Sequence, residues 1–137
     1  MHNSLKTAPF ASQHQDYDAW FEQHQAAYLS ELLAVRALLP LEGRGLEIGV
    51  GTGRFAGPLG IGFGIDPVAE MLGHCQARHI AVVRAMAEAL PFANACFDYV
   101  LAVTAICFMN GVDLALQEAW RVLRPRGAII IGFIDRE

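Results

Sequence analysis

The residues best suited to chemistry are a carboxylate followed by three glycines at alternate positions: Glu47, Gly49, Gly51 and Gly53. They continue a short apolar run that is typical of a buried strand. Glycine at every second position lets a nucleotide-like ligand approach the backbone closely, because no Cβ intervenes. Arg54 occupies the place where a dinucleotide-binding G-x-G-x-x-G loop has its third glycine. A dinucleotide oxidoreductase is therefore disfavoured. No G-K-[ST] motif follows the loop, so it is not a phosphate-binding loop either.

Two carboxylates at the ends of predicted strands narrow the choice of ligand. Glu47 would repel a pyrophosphate but suits a ligand that carries an ammonium or sulfonium cation. Asp66 ends the second predicted strand and is placed to accept hydrogen bonds from two ribose hydroxyls. A purely structural role for Glu47 stays open. Asp66 before Pro67 is also typical of a helix N-cap, a role that can coexist with ribose binding.

Composition argues against several classes of protein. The 137 residues are 54% hydrophobic and 18% charged, as expected for one globular domain. A formal charge of −4 without a basic cluster makes nucleic acid an unexpected partner. No apolar run has the length of a membrane span, roughly 18 to 20 residues. Cys75, Cys96 and Cys107 are widely spaced, which is typical of a reducing compartment, so we expect a cytoplasmic protein. Neither cysteines nor histidines have metal-ligand spacing, and no metal is expected.

Apolar runs that alternate with helical patterns predict the elements that position these residues. Continuous apolar strands are typical of a parallel sheet covered on both faces, which binds ligands at the carboxyl ends of its strands. We predict strands beginning at Leu46 and over 61–66, 79–84, 98–104 and 128–134. Helical patterns run from Pro67 to about Ala77, across 85–92, and along a face formed by Leu116, Ala119, Trp120 and Leu123.

The first 40 residues differ from the rest. Residues 1 to about 14 are polar and are expected to fray, whereas helical spacing from Tyr17 to Pro40 predicts one or two helices. Packing of amphipathic helices on the core is the simpler interpretation. The alternative is a lid in which Tyr17, Trp20 or Tyr28 closes over a ligand. We therefore predict an N-terminal helical segment or lid at 1–40 and a ligand-binding core at 41–137.

Four motifs in this order resemble the class I S-adenosylmethionine-dependent methyltransferases, and within them the methyltransferase type 11 group that includes the ubiquinone and menaquinone biosynthesis enzymes. The motifs lie at 46–53, 64–72, 87–98 and 118–127. The resemblance covers roughly 15–137. It implies an α/β, Rossmann-like, doubly wound and mainly parallel sheet. It also implies S-adenosylmethionine as cofactor, S-adenosylhomocysteine as product and a small-molecule methyl acceptor.

The resemblance also implies roles for individual residues. It places Glu47 and the three loop glycines against the methionine part of S-adenosylmethionine, and Asp66 at the ribose. The further implied contacts are Pro67 and Met71 at the adenine, Ala87 and Glu88 near its amino edge, and Thr104 beside the methionine part. Tyr17 completes the predicted site from the lid. The sequence identifies no catalytic base.

Two departures from the family pattern affect the prediction. Many relatives carry an aspartate that reaches the adenine amino group where this chain has Met86, so here that contact falls to backbone groups or is absent. The family's sheet has the strand order 3-2-1-4-5-7-6, whereas this sequence ends after the fifth predicted strand. We expect either a fragment of a longer protein or a partner, such as a second copy, along strand 128–134. Both departures favour the alternative of a non-catalytic cofactor-binding module or partner subunit.

Overall fold

One parallel sheet forms the centre of the molecule. The computed structural model describes the backbone of residues 3–133 and the side chains of residues 7–133. Its strands are β1 (Gly45–Ile48), β2 (Phe63–Asp66), β3 (Ala81–Arg84), β4 (Phe97–Val103) and β5 (Leu123–Gly132). The strand order is β3-β2-β1-β4-β5, and every neighbouring pair is parallel. The predicted α/β class and Rossmann-like parallel sheet are confirmed.

Six helices accompany the sheet in the described part of the chain. They are α1 (Asn3–Ser12), α2 (His14–Gln23), α3 (Gln25–Leu38), α4 (Ala56–Leu59), α5 (Ala69–Ala77) and α6 (Val112–Val122), with a 3₁₀ turn at Ile106–Phe108. The prediction that the first residues fray is wrong for α1. Its Phe10 packs edge-to-face on Tyr17 and Phe108, with ring centroids 5.6 and 4.9 Å apart. Such tertiary contacts stabilise a short helix whose own sequence does not. Within residues 3–133, no helix is both long and apolar enough to cross a bilayer.

Apolar clusters cover both faces of the sheet. On one face, Val35 of α3 belongs to the same cluster as Leu101 of β4. On the other face, Ala119 and Val122 of α6 cluster with Val100, the neighbour of Leu101 in β4. Because successive strand residues point to opposite faces, β4 is buried on both sides. This is the arrangement that its uninterrupted apolar sequence predicts.

Helix α6 presents a different face to the sheet from the predicted one. The buried residues are Ala115, Ala119 and Val122. The prediction was wrong for Leu116 and Trp120, which are 42% and 81% exposed. The buried stripe thus consists of two alanines and a valine, and the larger Leu116 and Trp120 face away from it.

Two connections also differ from prediction. Residues 85–92 form no helix; they make a turn in which the Ala89 N–H donates to the Met86 carbonyl at 3.1 Å. Strand β5 begins at Leu123, directly after α6, and residues 125–127 lie inside it rather than ending the helix. The pairing register between β4 and β5 shifts at this point, so the Pro and Gly are accommodated by a bulge.

Strand β5 is one of the two edge strands of the described sheet, and β3 is the other. Ile129 is 40% exposed, and Phe133, just after the strand, is 71% exposed. The predicted strand extended to Ile134, which lies outside the described residues. The described edge therefore presents apolar side chains and unpaired backbone groups, as predicted for an uncovered strand.

Candidate functional site

A cavity of about 320 Å³ lies at the carboxyl ends of β1, β2 and β4. Strand β1 lies between β2 and β4, so the strand order reverses here, which is where open parallel sheets bind ligands. Ten predicted site residues line the cavity: Tyr17, Gly49, Gly51, Asp66, Pro67, Met71, Met86, Ala87, Glu88 and Thr104. The structure therefore brings together residues that are far apart in the sequence.

Sequence reasoning missed other residues of the cavity wall. They are Thr7, Phe10, Ile48, Ile65, Val68, Val103, Ala105, Phe108 and Met109. Ile48 and Val103 are the last residues of their strands, so the strand-end rule could have identified them. Phe10 and Phe108 had no such signal, because their positions depend on a helix and a 3₁₀ turn that the sequence pattern did not predict.

The glycine loop passes close beneath the cavity. Gly49 has φ 69° and Gly51 has φ 56°, a left-handed backbone that favours glycine. A Cβ on Gly49 would lie 2.8 Å from the Cβ of Ala105, and one on Gly51 would lie 3.4 Å from the Tyr17 ring. The Gly49 N–H donates to the Ile65 carbonyl at 2.9 Å, which ties the loop to β2. Larger residues at these glycines would fill the approach to the cavity.

Asp66 connects the glycine loop to the start of α5. Its Oδ2 accepts the Gly51 N–H at 3.0 Å and its Oδ1 accepts the Val68 N–H at 2.9 Å. Burial raises the pKa of this carboxyl, while the two N–H donors act in the opposite direction. The N-cap residue of α5 is Val68, so Asp66 does not cap the helix and Pro67 precedes its first turn. Each carboxylate oxygen retains acceptor capacity for a ligand hydroxyl.

Glu47 and Gly53 are predicted site residues that are not on the cavity wall. Glu47 is 2% exposed, and its Oε1 accepts the Ala56 N–H at 3.0 Å at the start of α4. Burial raises the pKa of this carboxyl well above its usual value, and the charge of Asp66 raises it further. A Cβ on Gly53 would lie 2.6 Å from Ile80 Cδ1, in the core behind the loop. In the described structure Glu47 therefore supports the start of α4, and its contact with a cofactor stays a prediction.

The opposite wall is formed by Glu88 and Thr104. The Glu88 Oε1 accepts the N–H groups of Asn110 and Gly111 at 3.2 and 3.3 Å, which fixes the entry to α6. Thr104 has φ 53°, and its N–H donates to the Gly132 carbonyl at 2.7 Å. A β-branched residue in the left-handed region is strained, and such strain is concentrated at functional sites.

Three aromatic rings close one side of the cavity, two from helices α1 and α2 and one from the 3₁₀ turn. Tyr17 packs against Phe10, which in turn packs against Phe108, and all three line the cavity. Of the three residues considered for a lid, only Tyr17 lies on the wall; Trp20 is 38% exposed and Tyr28 packs on the core. Burial and the nearby carboxylates raise the pKa of the Tyr17 phenol, so it remains protonated and can donate a hydrogen bond.

The electrostatics of the cavity favour cations. Among the described side chains that line it, Asp66 and Glu88 are carboxylates and none is a lysine, arginine or histidine. An anionic group such as a phosphate would find no counter-charge on this part of the wall. No group of three potential metal ligands occurs within residues 3–133.

Comparisons with known sequences agree with this geometry. The sequence model of the methyltransferase domain family Methyltransf_11 matches residues 46–131. An uncharacterized protein of Methanocaldococcus jannaschii is 45% identical over 123 residues, which are 90% of this chain and 60% of that protein. A malonyl-[acyl-carrier protein] O-methyltransferase of Methylococcus capsulatus is 32% identical over 111 residues, 73% of this chain and 40% of that protein.

A solved structure is similar over nearly the whole chain. It is a SAM-dependent methyltransferase, possible histamine N-methyltransferase, from Thermotoga maritima, with a TM-score of 0.92 and 47% identity. The similarity covers 96% of this chain and 63% of that one. The chain thus spans less than two thirds of the length of these relatives.

Proposed function

Because this chain belongs to the Methyltransf_11 family of methyltransferase domains, we propose that it transfers the methyl group of S-adenosylmethionine to a small-molecule acceptor. Family membership implies S-adenosylmethionine as the cofactor. The observation that carries the proposal is the pairing of Asp66 with Gly51 beneath a cavity at the switch point of the sheet. This pairing places a carboxylate beside a backbone that a ligand can approach closely.

The described residues fit this cofactor. The carboxylate oxygens of Asp66 can accept from the ribose hydroxyls while they hold the loop. Val68, Met71 and Met86 supply an apolar wall for the base. The carboxylates of Asp66 and Glu88 give the cavity a negative potential, which favours a ligand with a positive charge. The cavity volume of about 320 Å³ is within the usual range of small-molecule sites, about 300 to 1,000 Å³.

The protein's contribution is to bind, align and exclude water. S-adenosylmethionine supplies a methyl group that is already activated for in-line displacement from the sulfonium. The residues of this chain therefore hold the reactants in line within a water-poor cavity. The rings of Phe10, Tyr17 and Phe108 keep water from one side of that cavity. Tyr17 stays protonated and acts as a hydrogen-bond donor rather than as a base.

Calorimetry with S-adenosylmethionine, S-adenosylhomocysteine and NAD tests the proposal. We expect both sulfur ligands to bind and NAD not to bind. Asp66→Ala should weaken binding by more than about tenfold, because a ribose acceptor is lost. It should also lower the free energy of unfolding by roughly 1 to 3 kcal/mol, because Gly51 and Val68 lose their acceptor. From the sequence alone, we expect Asp66→Ala to weaken cofactor binding far more than it lowers thermal stability.

The exposed Glu42 offers a matched control. Glu42→Ala removes a carboxylate that has no place in the cavity, so affinity and stability should stay near those of the wild type. Binding of NAD alone would overturn the proposal. Unchanged affinity in Asp66→Ala would show that this carboxylate does not hold the cofactor.

A second candidate function is a non-catalytic module or partner subunit that binds S-adenosylmethionine or S-adenosylhomocysteine. Met86 supports it, because this residue lines the cavity where many relatives have an aspartate at the adenine. Assays that follow S-adenosylhomocysteine release with a panel of small acceptors separate the two functions. Cofactor binding without turnover on any acceptor favours the module.

We also make proposals about the partners of the chain and its location in the cell. We propose that a second copy of the chain pairs along the edge of β5, because antiparallel pairing of one strand with its two-fold mate is self-complementary. The net charge of −4 supports the absence of a nucleic acid partner. Free Cys75, Cys96 and Cys107 support a cytoplasmic location, since thiols persist in a reducing compartment.

A further inference from the structure

A group of charged side chains joins helix α2 to the glycine loop and to α5. We define the Asp18 cluster as Asp18, Arg54, Arg78 and His74. The Arg54 Nε lies 2.9 Å from Asp18 Oδ1, and the Arg78 Nη2 lies 3.2 Å from the same oxygen. The His74 Nδ1 lies 3.7 Å from Asp18 Oδ2. One carboxylate on α2 thus binds two guanidinium groups from different elements.

The cluster is partly shielded from water. The side chains of Asp18 and Arg54 are 16% and 14% exposed. Burial alone would raise the pKa of Asp18, but the hydrogen bond from Arg54 and the charge of Arg78 lower it to about 2. The carboxylate is therefore ionised at every physiological pH. The interaction of a shielded carboxylate with two arginines is stronger than that of a single exposed ion pair.

The arginines contact the glycine loop at residues that do not line the cavity. Arg54 belongs to the loop, and its carbonyl accepts the Tyr28 hydroxyl of α3. Arg78, at the end of α5, donates to the Thr52 carbonyl at 2.9 Å. The Asp18 cluster therefore attaches α2 to the segment whose backbone forms the floor of the cavity.

Tyr17 and Asp18 are neighbours on α2 with different surroundings. Tyr17 lines the cavity and lies against Gly51, whereas Asp18 lies outside the cavity lining and contacts the arginines. At the start of the same helix, the His14 Nδ1 is 3.0 Å from the His74 Nε2, a second connection to α5. The orientation of α2, and with it the position of the Tyr17 ring, is thus fixed by contacts beyond the cavity.

We propose that Asp18 and Arg54 are positioning residues that hold Tyr17 against the glycine loop and thereby set the affinity of the cavity for its cofactor. The inference rests on the proposed function. It also explains Arg54, which stands where a dinucleotide loop has its third glycine. This arginine anchors the helix that closes the site.

Calorimetry with S-adenosylhomocysteine on D18N tests the proposal. The amide keeps the size of the side chain but removes its charge, so we expect the dissociation constant to rise about tenfold. E22Q is the matched control. Glu22 also contacts Arg54, at 3.2 Å, but its side chain is 70% exposed, so we expect a change of less than about twofold.

Double variants test whether the effect passes through Tyr17. In a Y17L background, D18N should weaken binding little further, because the ring that it positions is absent. D18N and R54Q should likewise be non-additive, because they remove the same contact. Fully additive losses in both pairs would overturn the proposal.

Thermal denaturation of the same variants separates positioning from folding. If D18N lowers the melting temperature while the dissociation constant stays at the wild-type value, Asp18 is purely structural and the proposal is wrong. If the wild-type chain binds no S-adenosylhomocysteine, the proposed function fails and this inference falls with it. If wild type and D18N bind equally well, only this inference fails.

Discussion

Thr104 combines a branched side chain with a left-handed backbone at the end of β4. Its φ is 53°, and its side chain lines the cavity. Outside glycine, this conformation costs on the order of 1 to 3 kcal/mol and persists only where the surroundings enforce it. The hydrogen bond from Thr104 to Gly132 is one such constraint. The cavity wall therefore contains a backbone conformation that lowers the stability of the protein.

Replacing Thr104 by glycine should separate stability from binding. Thr104→Gly relieves the strain, so we expect the free energy of unfolding to rise by about 1 kcal/mol in urea denaturation. Affinity for S-adenosylhomocysteine should fall severalfold, because a wall side chain is lost. Arg126, with φ 68°, is exposed and outside the cavity lining, so Arg126→Gly is the matched control. It should stabilise without changing affinity. If Thr104→Gly destabilises the protein while Arg126→Gly stabilises it, the strain argument is wrong.

Single residues were predictable where a rule of topology applied. Asp66 and Gly51 lie where the strand-end rule places them, and the structure adds that they bind each other. Glu47 was different, because its place in the sequence could not show that its side chain turns behind the loop to Ala56. Asp18 gave no signal, since its partner Arg54 is 36 residues away in the sequence.

The turn between β3 and β4 depends on one arginine of α6. Arg121 donates to the Leu90 carbonyl at 2.9 Å and to the Phe92 carbonyl at 2.7 Å, and its Nε is 2.6 Å from Glu118. Glu118 in turn accepts the Leu90 N–H at 2.8 Å. The pair thus satisfies backbone groups that a turn cannot satisfy by itself.

Removing this arginine should loosen the turn. Arg121→Met keeps an apolar stem but leaves the carbonyls of the turn unpaired, so we expect a loss of roughly 2 kcal/mol in urea denaturation. Affinity for S-adenosylhomocysteine should also fall, because Glu88 of the cavity wall belongs to the same turn. Arg124 pairs with Asp98 where the side chains are 44% and 35% exposed. Arg124→Met should therefore destabilise the protein much less than Arg121→Met does. Equal losses in both variants would contradict this role of Arg121.

Elements were predictable where one physical effect dominated. The strands followed from continuous apolar runs, because burial on both faces leaves no room for alternation. Helix α1 and the turn at 85–92 were predicted wrongly, because tertiary contacts decided them: Phe10 against two rings, and Arg121 against two carbonyls. The buried stripe of α6 carries two small alanines, whereas a ranking by hydrophobicity favours the larger Leu116 and Trp120, which are exposed.

The sheet of the described chain is covered on its faces but open at its edges. Helices and apolar clusters cover both faces, whereas no further strand of the described chain pairs with either edge strand, β3 or β5. Ile129 pairs in register with Val100, whose side chain belongs to the cluster under α6. Ile129 therefore lies on the α6 face of the sheet, at its open edge. Natural proteins protect such edges with charges, bulges or partners.

This edge predicts concentration-dependent association of the chain. If two copies pair along β5, sedimentation velocity should detect a dimer at concentrations of about 10 to 100 μM, a range typical of modest interfaces. Ile129→Lys places a charge at the half-exposed edge and should shift the equilibrium towards monomer by about tenfold or more. Leu41, fully exposed at 103% and outside the sheet, gives the control Leu41→Lys, which should leave the dimer intact. A wild-type chain that stays monomeric throughout this range, or a dimer that Ile129→Lys does not weaken, would rule out pairing along β5.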